Sequence, residues 1–528
     1  MFWRRRTGRS DVVAVNGVIA CSEVLAAEAG VDIMRAGGNA VDAAVAAAAV
    51  LDVTEPFSTG CGGDAFALVH VPGKTRPIAY NGSGRAGSLV TLEDLLAKGW
   101  SEMPVRGGPP VTVPGAMHLW HTLLKEHGNL DLSRVLAPAI RYATEGFPVA
   151  PLISQYWQQL LSVLQNDAAR RTFTRDGAAP RVGEIMHNRE LGQTLRTVIE
   201  EGVEEFYEGR IAEKIVTTVQ RNGGFLTMDD MRRHATDRID PISVPYHDVE
   251  VFECPPNGQG FAALVMLRLM AELEVERFGP LDTERYHLMI EAKKLAYADL
   301  LEHNADPRFY DVPLRELLSR EYASERASAV SLDSVMKPLP SGIPRGGDTV
   351  YVAAADRDGM AISLINSLYM GFGSGLVVPG TGIKLQNRGR LFSLNPKHPN
   401  YYAPGKRPFH TIIPGALYRD GDLLGVFGVM GGDHQAQAHA QVVSNMVDYG
   451  MSPQEAIEHP RFHHDQATNT VALENGVPAH VQGRLRRLGH RLVHETAAGF
   501  GGGQIIVRLR ESWIAGSDHR KDGHAAAF

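Results

Sequence analysis

Residues 345–367 read RGGDTVYVAAADRDGMAISLINS. Two apolar runs flank the turn DRDG, Asp356–Gly359, a pattern that predicts a β-hairpin. The stretch before it, KPLPSGIPRGG at 337–347, holds three prolines, three glycines, one serine and two basic residues and reads as a linker. Thr349 therefore stands where a linker meets a strand. Packing of a β-branched residue is one reading of that position. A chemical reading is also available. A threonine hydroxyl is a weak nucleophile, and a free α-amino group on the same residue, with a pKa of roughly 7.7–8.0, is a base able to activate it. An internal threonine has that amine only after the chain is cut before it.

The rest of the chain narrows the field. Of 528 residues, 44% are hydrophobic and 21% charged, as in an ordinary globular chain of two to four domains or one elaborate one. The formal charge of −7 supplies no basic field for nucleic acid or an anionic membrane. Cys21, Cys61 and Cys254 are scattered and odd in number, so they predict buried small side chains rather than disulfides or a zinc site. No apolar run follows the arginines of MFWRRRTGRSDVVAVNG, and AVDAAVAAAAVLDV is too short to span a bilayer. A cytoplasmic protein is expected.

Helical spacing covers 20–52, with Ser22 as the expected N-cap and Gly37–Gly38 as a stop. AFALVHV reads as a strand buried on both faces. Residues 114–330 are mostly helical, and 349–528 are strand-rich, so a layered α/β fold is expected. PGKT at 72–75 lacks the upstream glycine of a phosphate loop, and no G-x-S-x-G or H-E-x-x-H occurs. His434 and His439 are five apart and poorly spaced for a shared metal. The glycine pair Gly431–Gly432, after the strand LLGVFGVM, could offer backbone N–H groups to a developing oxyanion.

The motifs GGNAVDAAVA, GCGGDAF, GSGRAG, EEFYEGRIAEKI, NGGFLTMDDM, DTVYVAAADRDG, GFGSG, KRPFHTIIP, VMGGD and HPRFHH span almost the whole chain. In them the sequence resembles the γ-glutamyltransferase (glutathione hydrolase) family of N-terminal-nucleophile hydrolases. The resemblance implies a four-layer αββα sandwich made as a precursor. It implies a cut giving a large subunit, 1–348, and a small one, 349–528, intertwined in one domain. Neither a cofactor nor a metal is implied, and a homodimer of the processed pair stays open. Thr349 matches the nucleophile, Ser367 a hydroxyl that bonds it, Gly431 and Gly432 the oxyanion glycines, and Arg85 the arginine that grips a substrate carboxylate.

Several substrate positions depart from the family pattern. Leu391 stands at the aspartate that holds an ammonium, Arg388 at a glutamine, Tyr369 at an asparagine, and His410 and Thr411 at a serine pair. Asp433, beside the oxyanion glycines, is a candidate replacement partner for an ammonium. The lid segment is also shorter. The expected activity is hydrolysis, or transfer, of γ-glutamyl groups from glutathione or related amides through a threonyl ester. One alternative keeps that chemistry on an oxamate-like carboxylate-amide or a glutaryl-type acyl amide. Another is an uncleaved, inactive metabolite-binding homologue.

Overall fold

The computed structural model describes residues 8–336 and 348–528, so the expected linker at 337–347 lies outside the described residues. Two seven-stranded antiparallel sheets lie face to face. One runs Val12–Ala14, Ser512–Ser517, Gly502–Leu509, Asp422–Met430, Gly415–Arg419, Val249–Glu253, Ile242–Tyr246 in spatial order. The other runs His524–Ala527, Gly17–Cys21, Asp348–Asp356, Ala361–Tyr369, Asp64–His70, Ile78–Asn81, Asp237–Ile239. Each sheet combines strands from before and after residue 348.

Three apolar clusters mark the interfaces between four layers. Phe66, Tyr351, Ile365, Val426 and Ile506 pack between the sheets. The helices Val24–Arg35 and Ala40–Thr54 cover the outer face of the second sheet. The helices Gly260–Glu272, Thr283–His303 and His434–Val447 cover the first. The order is αββα, as expected. Every residue of Ala40–Thr54 is buried, and its alanines let the helix axis approach the sheet closely.

Local chemistry explains the boundaries. Asn39 caps the Ala40–Thr54 helix, and Asp42 completes a capping box with it. At the preceding helix the expected cap was one residue off. Glu23 accepts from the Ala26 amide, while the Ser22 hydroxyl bonds the Glu55 carboxylate instead. The strand Asp64–His70 is buried along its whole length, and the hairpin Asp348–Asp356/Ala361–Tyr369 forms as predicted. All three cysteines are buried and free.

Period-two alternation then aims the chemistry. Val350, Val352 and Ala354 face the helices, whereas Tyr351, Ala353 and Ala355 face the other sheet. Thr349 and, on the paired strand, Ser367 fall on the inter-sheet side. The pairing register shifts between Asp348 and Val350, so Thr349 sits at a bulge, a device that re-aims a side chain. Gly63 admits the neighbouring strand closely: a Cβ there would lie 2.3 Å from the Ser367 carbonyl oxygen.

Candidate active site

Thr349 is 1% exposed and donates its hydroxyl proton to Ser367 Oγ at 3.2 Å. Ser367 Oγ also accepts from the Tyr369 amide at 2.8 Å and from Arg388 Nη2 at 3.0 Å. These donors fix the serine oxygen beside Thr349. Gln435 Nε2 approaches Thr349 Oγ1 at 3.5 Å from the first turn of the His434–Val447 helix.

That turn follows the glycine pair. Gly431 and Gly432 have φ of 137° and 60°, values that favour glycine and let the chain break from strand into helix. Gln259 fixes the pair from the other side. Its Nε2 donates to the Gly432 carbonyl at 2.8 Å and to the Thr411 carbonyl at 2.5 Å. The glycine turn is thus tied to Thr349 through Gln435 and to the opposite wall through Gln259.

Arg388 forms that wall. It is fully buried, its Nη1 donates to Thr411 Oγ1 at 2.7 Å, and its guanidinium lies 4.6 Å from the Tyr369 ring centroid. Its Nε has no partner, and among the described residues no carboxylate ion-pairs with it. Burial lowers its pKa to about 10, partly offset by the nearby Asp64 charge. Tyr369 is itself buried with an unpartnered hydroxyl, at a positive φ of 78°.

Behind Arg388 lies the buried pair Asp64–His410, 3.1 Å apart. The Gly84 amide donates to Asp64 Oδ1 at 2.8 Å. Burial pushes the Asp64 carboxyl up from 3.8 to about 7, against the pull of Arg388. Burial, reinforced by Arg388, holds the His410 imidazole well below its ordinary value, so it is neutral. Folding raises the Asp64 pKa, so between about pH 4 and 7 the native state binds more protons than the unfolded chain. Stability from this group therefore falls as pH rises through that window. Thermal melts of Asp64→Asn and the parent from pH 4.5 to 8 should show the parent losing ground to the variant as pH rises. A constant difference would remove Asp64 as a titrating group.

Thr349, Ser367, Tyr369, Arg388 and Thr411 therefore meet directly, and His410 joins through Asp64. Asp433 lies one residue past the glycine pair. Its carboxyl, raised by burial, lies 4.0 Å from His463, and its carbonyl accepts from the Tyr297 hydroxyl. Arg85 stands apart in a charged group: it bonds Asp237 at 3.3 Å, and its Nη1 is unpartnered. Burial and the nearby Arg407 and Arg308 lower its pKa to about 10. Among the described residues no hydrogen bond joins it to Thr349, Ser367 or Arg388. Sequence reasoning passed over Asp64, Gln259 and Gln435. The first was visible as an acid opening a fully apolar strand in GCGGDAF.

His439 bridges Glu253 at 2.7 Å and the Val429 amide at 3.0 Å, a structural role. One group of metal-ligand type exists among the described residues, His287, Glu291 and His490. Lys294 already ion-pairs Glu291 at 2.6 Å there, and the two histidines bond each other at 2.8 Å. No helix among the described residues is long and apolar enough to cross a membrane.

The chain is similar along its length to several known proteins. The family model described as gamma-glutamyltranspeptidase matches residues 26–528. A glutathione hydrolase-like YwrD proenzyme of Bacillus subtilis is 39% identical over 86% of each chain. An oxamate amidohydrolase proenzyme of Klebsiella pneumoniae is 34% identical over 98% of this chain and all of its own. The crystal structure of a cephalosporin acylase from Bacillus halodurans superposes with a TM-score of 0.93 at 42% identity, covering 100% of this chain and 98% of the other.

Proposed function

Because the chain belongs to the gamma-glutamyltranspeptidase family of amidohydrolases, we propose that it cuts itself before Thr349 and then hydrolyses amides whose acyl half carries a carboxylate. In the cut, Thr349 Oγ1 attacks the Asp348 carbonyl carbon and the peptide nitrogen leaves, giving an ester. Water hydrolyses that ester and frees the Asp348 carboxylate and the Thr349 amine. In turnover the amine takes the Oγ1 proton as Oγ1 attacks the substrate carbonyl. The Gly431 and Gly432 amides receive the oxyanion. The C–N bond then breaks, the leaving amine takes the proton, and water resolves the threonyl ester.

A single observation carries the substrate class. Arg388 is a fully buried cation with no ion-pair partner among the described residues, two bonds from the nucleophile through Ser367. The nearby Asp64 charge only partly offsets the cost of burying that cation, and an anionic acyl group supplies a direct partner. Leu391 stands where the family has the ammonium-binding aspartate, so a zwitterionic γ-glutamyl group is disfavoured beside Arg388. A small carboxylate-amide or glutaryl-type amide suits the site better. γ-Glutamyl amides, glutathione included, are the second reading, favoured by Asp433 lying beside the glycine turn.

The experiment is a panel of oxamate, glutaramate, a glutaryl anilide and γ-glutamyl-p-nitroanilide. The expected order places the acids without an ammonium first by at least about tenfold in kcat/KM, the size of one disfavoured charge contact. A preference for the γ-glutamyl compound would overturn that order. We place the reaction in the cytoplasm, in keeping with three unpaired cysteines.

A further inference from the structure

Gln435 is fully buried, and its surroundings fix which way its amide points. Oε1 accepts from the Ile413 amide at 3.2 Å, and Nε2, the other end of the group, meets Thr349 Oγ1 at 3.5 Å. A backbone N–H can only donate, so the oxygen must face Ile413 and the nitrogen must face the threonine. The main chain of the same residue donates to the Gly432 carbonyl at 3.3 Å. Gln435 therefore joins the glycine turn to the Thr349 hydroxyl by backbone and side chain together.

The lone pairs of Oγ1 give this contact its meaning. A hydroxyl has one proton and two lone pairs. The Thr349 proton points at Ser367 Oγ, 3.2 Å away. Gln435 Nε2 meets one lone pair, and the other is left to form a bond to carbon. Catalytic hydrogen bonds are often this long before substrate is bound and tighten as charge develops on the acceptor. Gln435 also lies in the first turn of the His434–Val447 helix, whose N-terminal end is electropositive.

We propose that Gln435 is a further catalytic residue, the donor that stabilises negative charge on Thr349 Oγ1 whenever that oxygen gives up its proton or leaves the acyl carbon. The role rests on Thr349 being the nucleophile and holds for either substrate class named above. In acylation the Thr349 amine takes the Oγ1 proton as Oγ1 bonds the acyl carbon. It passes that proton to the leaving amine as the C–N bond breaks. In deacylation it takes a proton from the attacking water. The C–Oγ1 bond then breaks with its electron pair on Oγ1, and the amine hands the proton to that oxygen. Gln435 donates a hydrogen bond in both halves and transfers no proton. A neutral amide suits this role, since it cannot compete with the amine as a base.

The test compares Gln435→Glu and Gln435→Met with the parent. Glu keeps an acceptor for the Ile413 amide and loses the donor to Oγ1, whereas Met removes both at similar size. Self-cutting is followed by intact mass. Hydrolysis of glutaramate and γ-glutamyl-p-nitroanilide is counted per cut chain, so slow maturation does not pass for slow turnover. Losing one donor to an oxyanion costs about 10²–10³-fold in kcat, and this longer bond should cost about 10- to 100-fold. The cut should slow on a similar scale, and KM should stay within about threefold, the mark of a contact made in the transition state. Parent-like cutting and kcat in a folded Glu variant would overturn the role. A loss confined to KM or to the melting temperature would also overturn it and leave Gln435 a structural link. Should Met fail to fold, the Glu variant, with its Ile413 bond kept, decides alone. A parent that is neither cut nor active would remove Thr349 as nucleophile first, and the role of Gln435 would fall with it.

Discussion

Thr349→Ala should yield one uncut chain of 57.5 kDa, where the parent should yield chains of 348 and 180 residues. Amide hydrolysis should fall by at least about 10⁴-fold, the scale on which loss of a nucleophile is felt. Both effects have one cause. In the proposed mechanism the hydroxyl that attacks the Asp348 carbonyl is the hydroxyl that later attacks substrate, and the amine that activates it exists only after the first attack. The fold should not suffer. The side chain makes its bonds to Ser367 and Gln435 at a bulge, and one such bond is worth about 1 kcal/mol net. Thr349→Ser keeps the oxygen and should still cut, so the pair separates chemistry from packing. Intact-mass measurement and N-terminal sequencing decide the matter. A Thr349→Ala protein that still splits and turns over amides would move the nucleophile elsewhere.

The sequence made this hairpin and its threonine legible because the evidence is local. Alternation over TVYVAAAD and MAISLINSL sets the strands, DRDG sets the turn, and the register then brings Ser367 to Thr349. The layers were legible for the same reason, since an alanine-rich helix and an unbroken apolar strand both state that they are buried. Gln259 and Gln435 were not legible. Each acts through long-range bonds, and a glutamine at a helix start looks the same whether it faces solvent or a buried hydroxyl. Ser22 shows the limit at short range. Its cap role was chemically sound, but Glu55, 33 residues away, took its hydroxyl, and Glu23 filled the cap. The arginine at 388 was readable as a departure from the family, but its isolation as a buried cation needed the three-dimensional arrangement.

That isolation makes opposite predictions for stability and for activity. Arg388→Met replaces a buried, unpaired guanidinium with an apolar side chain that still packs on Tyr369. Removing it lifts the desolvation penalty of a buried charge that no carboxylate ion-pairs, so the melting temperature without substrate should hold or rise. Catalysis should move the other way. A substrate carboxylate that loses a desolvated charged partner costs about 2–5 kcal/mol, so kcat/KM for carboxylate-bearing amides should fall about 30- to 5,000-fold. Arg388→Lys keeps the charge but loses the fork that spans Ser367 and Thr411, and should fall between the two. Binding supplies an independent check. A small dicarboxylate such as oxalate or glutarate should raise the melting temperature of the parent through occupancy of the native state, and leave that of Arg388→Met unchanged. A Met variant that melts lower and keeps its kcat/KM would show that Arg388 is a structural cation serving Ser367 and Thr411. The carboxylate reading of the substrate would then lose its main support.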